Sequence, residues 1–249
     1  METDGAAAAA TPSRAERKRQ QRMRTYVDAA KKIVADEGFE GLTMARLAAE
    51  LDTAISAVYR YFPSKGALMA QIQLEAIEQL SASLSVITVR GEDRFAELGL
   101  ADREAAAARL VLFGRWMCAA SEAYPEDMRL LQMIMSQRAS MLDAHGGERI
   151  FPVAMSLVGK AVAAVEAAQD AGAITSASAL DRALIWAATL GGVLQTDDLE
   201  AYAPELFGRA RLARQANLDL LAGWGVSPED LARASGLVDD LAADGPLAP

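Results

Sequence analysis

Residues 42–68, LTMARLAAELDTAISAVYRYFPSKGAL, decide the fold. Thr43 is a good N-cap, and Leu42 and Leu47 stand at the two positions of a hydrophobic staple, so a helix begins here and runs only to about Leu51. Asp52-Thr53 makes a turn. A second short helix then carries Val58 and Phe62 on one face, and Pro63-Ser64 stops it. The turn wants a residue tolerant of positive φ, a place where Asp52 is acceptable though less so than glycine. Upstream, Tyr26, Ala29, Ala30, Ile33 and Val34 recur at helical spacing, with Gly38 as the C-terminal cap. Downstream, a longer helix starts near Lys65 and is expected to reach about Val86. Three helices in about 50 residues, the second and third short and split by a tight turn, describe a helix-turn-helix unit.

These residues resemble the DNA-binding head of TetR-family transcriptional regulators. That family's pattern is a Thr-capped second helix, a turn, a third helix ending in Leu-Tyr-x-x-Phe, and a short linker with a lysine. The matching residues here are Thr43, Val58-Tyr59-Arg60-Tyr61-Phe62 and Pro63-Ser64-Lys65-Gly66-Ala67-Leu68. The likeness extends back through Ala29-Ala30 and Gly38-Phe39 and covers about residues 22–75. Two departures stand out. Asp52 replaces the usual glycine, and Ala54 replaces the usual small polar cap of the third helix, a role Thr53 is expected to take over.

A recognition helix needs an inward apolar face to hold it on the scaffold and an outward face of short side chains that enter the major groove. Val58 and Phe62 suit the first role. Ile55, Ser56 and Ala57 suit the second: Ile55 and Ala57 to meet thymine methyls, Ser56 to hydrogen-bond a base or phosphate. Tyr59, Arg60, Tyr61 and Lys65 are the phosphate candidates, with Thr43 at a helix N-terminus that itself attracts phosphate and Arg46 beside it. The structural alternative stands next to this: Tyr59 and Tyr61 as core or rim aromatics, and Thr43 as a cap only.

Charge is divided along the chain. Residues 13–66 carry 11 Lys+Arg against 7 Asp+Glu, whereas residues 67–249 carry 14 against 25. A basic head on an acidic body suggests that one end meets a polyanion, here double-stranded DNA, and the other does not. Arg14, Arg17, Lys18, Arg19, Arg22 and Arg24 concentrate the positive charge ahead of the first helix. They have two readings, an arm that reaches DNA and a solubilising extension.

The whole chain has 249 residues, 52% of them hydrophobic and only 6% aromatic, a balance that favours helices with a sizeable core. A single cysteine, Cys118, excludes an internal disulfide, and a single histidine, His145, speaks against a Cys/His zinc site. No apolar run reaches the roughly 18 residues of a membrane span, and no signal peptide is recognised, so no membrane partner and a cytoplasmic location are expected. The expected organisation is a disordered tail over 1–12, the helix-turn-helix domain over 13–66, a helical regulatory and dimerisation domain over 67–241, and a tail over 242–249. The fold class is all-α.

Helices are expected at 102–123, 125–141, 148–171, 177–195, 204–223 and 228–241, with order weakest in the loop 88–101 and at His145-Gly146-Gly147. The resemblance implies a ligand cavity among these helices and a homodimer through the last two long ones. Ala183, Ala187 and Gly191-Gly192 offer close helix approach, and Leu212, Leu220 and Leu221 offer apolar area. Phe113, Trp116, Met117 and Ala120 share one helix face, and Met128, Leu131 and Met135 the next. With Phe151, Leu157, Val158 and Trp186 they read either as plain core or as the lining of a pocket for a small apolar or amphipathic ligand. Arg109 and Arg115 on the same helix leave room for an anionic group on that ligand.

Catalysis finds little support. There is no G-x-S-x-G, P-loop or H-E-x-x-H pattern, and Gly159-Lys160 lacks the rest of a phosphate-binding loop. Asp143 with His145 and the Asp197-Asp198-Glu200 cluster read as surface polar groups rather than metal ligands. The sequence therefore points to a ligand-responsive, dimeric DNA-binding repressor without enzymatic activity, cofactor or metal. The alternative is a DNA-bound structural protein of similar fold with no small-molecule ligand.

Overall fold

The computed structural model describes residues 13–136, 144–195 and 202–249, and among them finds helices and no strand. Residues 1–12 and the cluster Asp197-Asp198-Glu200 lie outside the described residues. Two compact units divide the chain, Met1–Ile72 and Gln73–Pro249. The boundary falls later than Gly66 because Leu68 and Ile72 are fully buried and belong to the first unit.

The first unit contains α1 (Arg14–Gly41), α2 (Met44–Glu50), α3 (Ile55–Tyr59) and the start of α4 (Lys65–Glu97). Ser13 opens α1 through a capping box: its Oγ accepts from the Glu16 amide, and the Glu16 carboxylate accepts from the Ser13 amide at 2.6 Å. That amide holds the Glu16 carboxyl below its ordinary pKa. The basic cluster is thus the first turns of a helix, not an extended arm. Tyr26, Val27, Ala30, Ile33 and Val34 form the buried stripe. Gly38 breaks the helical path at φ 71°, a left-handed angle open to glycine, so the chain turns before Thr43 caps α2. Leu42 and Leu47 are both fully buried, as a staple requires.

The second unit runs from the rest of α4 through α5 (Asp102–Ala123), α6 (Pro125–Ser136), α7 (Ala144–Asp170), α8 (Ala179–Val193), α9 (Pro204–Phe207), α10 (Arg209–Gly223) and α11 (Pro228–Ala243). α5 is its axis, packed against α6, α7, α10 and α11. Residues 105–108, four alanines in succession, are all buried, as only a helix covered on nearly every side requires.

Several expectations are corrected here. α4 continues past Val86 to Glu97 because Ile87 and Phe95 are buried and Gly91 lets the Leu112 side chain approach. His145-Gly146-Gly147 is backbone of α7, whose first residue is Ala144. The helix expected at 204–223 is two, broken at Gly208, where ψ is 95°. Residues 242–249 are packed rather than a free tail. Arg90 donates to the carbonyls of Leu241, Gly245 and Pro246, Tyr124 Oη donates to the Pro249 carbonyl at 2.7 Å, and Leu247 is buried. By length and composition Arg149–Asp170 of α7 could cross a membrane, although Lys160 and Glu166 keep its unbroken apolar run short of the roughly 18 residues of a span. Its Leu157, Ala161, Val165 and Ala168 are instead buried within this unit.

α5 meets α10 at one tight point. A Cβ on Gly114 would lie 2.3 Å from the Asn217 side chain, whose Oδ1 accepts from Trp186 Nε1 at 2.7 Å. Gly114→Ala is expected to lower the free energy of unfolding by about 1–3 kcal/mol, read by urea denaturation. An unchanged midpoint would show that Asn217 yields without loss of its bond to Trp186.

Candidate nucleic-acid interface and ligand cavity

The turn between α2 and α3 is made by Asp52 at φ 46°, alone among the described non-glycine residues in having a positive φ. A short polar side chain tolerates this angle better than other residues do, which is how the turn forms without glycine. The cap of α3 differs from expectation. Ala54 occupies the N-cap with no side-chain hydrogen bond, so Thr53 does not take over that role.

Val58 is fully buried and Phe62 nearly so, which pins α3 by one face. The opposite face is open. Ile55 is 44% and Tyr59 48% exposed, Ser56 and Arg60 are exposed, and Ala57 is half-buried beside them. Tyr61 turns inward instead, its ring 5.1 Å from that of Tyr26, which also meets Phe62 edge-on. The Arg60 guanidinium lies 5.7 Å from the Tyr61 ring centre, so the aromatic steers a cation rather than reaching outward itself.

Thr43 is exposed and acts as the cap of α2, its Oγ1 accepting from the Arg46 amide at 3.0 Å. Arg46 is committed within the protein: Glu37 and Glu50 both accept from its guanidinium and hold its pKa above the ordinary value. The Glu50 carboxyl is in turn held low, first by Arg46 and then by Lys32. Its contribution to stability is therefore present above the ordinary carboxylate pKa and lost as pH falls through the lowered folded value. Lys65 spends one donor on the Phe39 carbonyl at 3.0 Å, closing the end of α1.

The first turns of α1 and the end of α3 enclose a cleft of about 600 Å³ lined by Ala15, Lys18, Arg19, Arg22, Arg60 and Tyr61. Four cations and no carboxylate line it. The sequence contained those α1 cations, but their alignment with Arg60 required the fold.

The second unit holds an apolar cavity of about 270 Å³. Phe113, Trp116 and Met117 of α5 line it, with Met128 and Leu131 of α6 and Leu157 and Val158 of α7. Its remaining wall is α8, through Ala183, Ala187, Gly191 and Gly192. These small residues were expected at a dimer contact; here they give the cavity its room. Their spacing along one helix face was visible in sequence, but which neighbour that face meets was not.

Trp116 is buried as well as lining, and its Nε1 donates to Ser83 Oγ at 3.1 Å. Trp186 is not in the lining: it is fully buried and stacks on Phe113 at 4.7 Å. Phe151 is 67% exposed and lies off the cavity. The Met135 side chain and Asp143 fall outside the described residues. Arg115 pairs with Asp239 and Arg109 with Glu92. The Cys118 thiol is buried, which raises its pKa. Among the described residues no cluster of His, Cys, Asp and Glu is arranged to hold a metal ion.

Residues 27–72 match the model described as bacterial regulatory proteins, tetR family. The HTH-type transcriptional repressor DrrR1 of Streptomyces coeruleorubidus is 46% identical over 55 residues, a match spanning 22% of this chain and 20% of that relative. A TetR transcription regulator from Haloarcula marismortui superposes with a TM-score of 0.58 at 18% identity, covering 82% of this chain and 98% of its own. A Saccharomonospora viridis protein solved in complex with choline gives 0.56 at 17% identity, over 82% and 96%. The first unit has the helix-turn-helix arrangement of the domain it matches. Residues 27–72 are thus similar to the DNA-binding domain of tetR-family regulatory proteins, and beyond residue 72 the solved neighbours show the fold alone.

The angle at Asp52 makes the turn sensitive to branching. Asp52→Val is expected to destabilise the first unit by about 1–2 kcal/mol while Asp52→Gly leaves it folded, checked by thermal melting of both. Equal melting of the two variants would show that the turn relaxes out of the left-handed region.

Proposed function

We propose that the protein is a ligand-responsive transcriptional repressor that binds a palindromic operator in double-stranded DNA as a homodimer, in the cytoplasm. The observation that carries this reading is the outward face of α3. Ile55, Ser56 and Ala57 are offered to base edges by a helix held on Val58 and Phe62. Tyr59, Arg60 and the cations of the adjoining cleft are offered to phosphates, with Thr43 at the start of α2. Lys65 keeps donors beyond the one given to Phe39 and stands with them.

Two features support the finer parts of the reading. The apolar cavity suits a small apolar or amphipathic ligand, and the choline complex of the Saccharomonospora viridis protein is consistent with a ligand site in this fold. For the homodimer, Phe151 and Met155 of α7 and Leu180 and Ile185 of α8 are exposed and apolar, whereas Ala213, Asn217 and Leu221 of α10 are buried within the unit. These faces support an interface on α7 and α8, and Leu212 and Leu220, only half-buried, leave α10 able to join it. Repression is lifted when ligand favours a dimer whose recognition helices no longer match successive major grooves about 34–36 Å apart. α4 is the element common to both units, contributing Ile72 to the first and Leu80 and Leu84 to the second.

Fluorescence anisotropy with a palindromic duplex from the adjoining promoter tests the DNA half. Affinity is expected to fall steeply with salt, two chains to bind per full palindrome, and Arg60→Ala to reduce the salt slope by about two, one for each chain. Ser56→Ala and Ile55→Ala are expected to relax base preference at single positions. Binding that ignores salt, or base preference unchanged in both variants, would remove α3 as the reading surface.

The ligand half is tested at the cavity wall. Ala187→Leu fills the space on the α8 side and is expected to abolish response to an inducer found by screening, with unliganded operator affinity within about twofold of wild type. A retained response would place the ligand elsewhere.

A further inference from the structure

A second cleft, of about 430 Å³, lies within the second unit between α4, α5 and α7. Phe113 lines both it and the apolar cavity, so one ring separates the two spaces. Leu84, Val89, Leu112 and Phe113 give it apolar walls, but it differs from the first cavity in its polar members. Lys160 reaches from α7 and donates to the Ser81 carbonyl at 3.0 Å and to Ser85 Oγ at 2.5 Å. Arg109 and Glu92, also in the wall, are bound to each other, Nη2 to Oε2 at 2.7 Å.

These charges do not cancel. The Arg109–Glu92 pair is neutral as a unit, which leaves the Lys160 ammonium as the net charge of the cleft. No carboxylate among the described residues pairs with it, and its two acceptors are an uncharged carbonyl and a hydroxyl. Burial disfavours its charged form and lowers its pKa, a cost that an anion in the cleft would offset. An ammonium has three donors, and two are spent.

We propose that this cleft binds a small apolar monocarboxylate, its tail against Leu84, Val89, Leu112 and Phe113 and its carboxylate on the third N–H of Lys160. One net positive charge selects a monoanion over a dianion, and the apolar walls exclude inorganic anions, which have nothing to place there. The same ammonium is bonded to two groups of α4, so an occupied cleft joins the ligand and α4 through one hydrogen-bonded centre. This rests on the reading of the second unit as ligand-binding and adds to it a second site, separate from the apolar cavity, with a chemical class of its own.

The test is calorimetric titration of the purified full-length chain with two matched pairs, phenylacetate against phenylacetamide and hexanoate against hexanamide. Each pair keeps the shape and one carbonyl acceptor while removing the charge and replacing the second oxygen by an NH2 donor. The carboxylates are expected to bind at least about tenfold more tightly than their amides. Lys160→Met should bring the carboxylates down to the affinity of the amides and leave the amides unchanged. Lys160→Arg should restore the preference. Ala164→Leu, on the cleft wall, should weaken both members of each pair. Equal binding of acid and amide to the wild type, or a preference that survives Lys160→Met, overturns this inference alone. Binding of neither overturns this inference and leaves the apolar cavity to the Ala187→Leu test, whereas loss of operator binding with the acid preference intact would leave it standing.

Discussion

Helix α5 has to be buried on nearly every side, and the second unit is arranged around that constraint. A helix packed against four others has little solvent face for polar groups, so that its Arg103, Arg109 and Arg115 each pair with an acid, and close approach of neighbours demands small side chains. The four alanines at 105–108 and Gly114 answer the demand for space. The polar groups drawn in with α5 and its neighbours are paired in turn. Trp116 donates to Ser83, Trp186 to Asn217, and Ser121 to the Cys118 carbonyl. Asn217 can reach Trp186 only because Gly114 has no Cβ in its way. Trp186, Asn217 and Gly114 are thus mutually dependent.

The same constraint produces the cavities. Phe113 and Trp116 are large, whereas the facing residues of α8 are alanine and glycine, so the interdigitation that fills a core elsewhere is incomplete there. On the other side of Phe113, Lys160 and the Arg109–Glu92 pair, each only partly buried, line an open cleft.

In the first unit charge is sorted by partner. Arg46 is neutralised by Glu37 and Glu50 and serves to hold α1 and α2 together. Arg60, Lys18, Arg19 and Arg22 instead gather about one cleft whose lining has no acid, and there the positive potential adds up. A net count of charges cannot separate these two groups. The difference lies in which carboxylates come within reach, and that is a property of the folded head.

The helix-turn-helix was legible in the sequence because its signals are local. Thr43 caps within three residues, Leu42 and Leu47 staple within five, and Asp52 must turn the chain whatever lies around it. Helix α5 was legible over its whole length for the same reason, being bounded by the turn at Ala101 and by Pro125. Tertiary structure alone decided the rest. The extension of α4 to Glu97 depends on burial of Ile87 and Phe95 against distant partners. The inward turn of Tyr61 depends on Tyr26, 35 positions earlier in the chain. The commitment of Arg46 and the placement of α8's small residues on a cavity likewise depend on which surfaces meet. Periodicity specifies which face of a helix is apolar, but apolar contact carries no direction, so the neighbour that covers the face is chosen only when the whole core is packed.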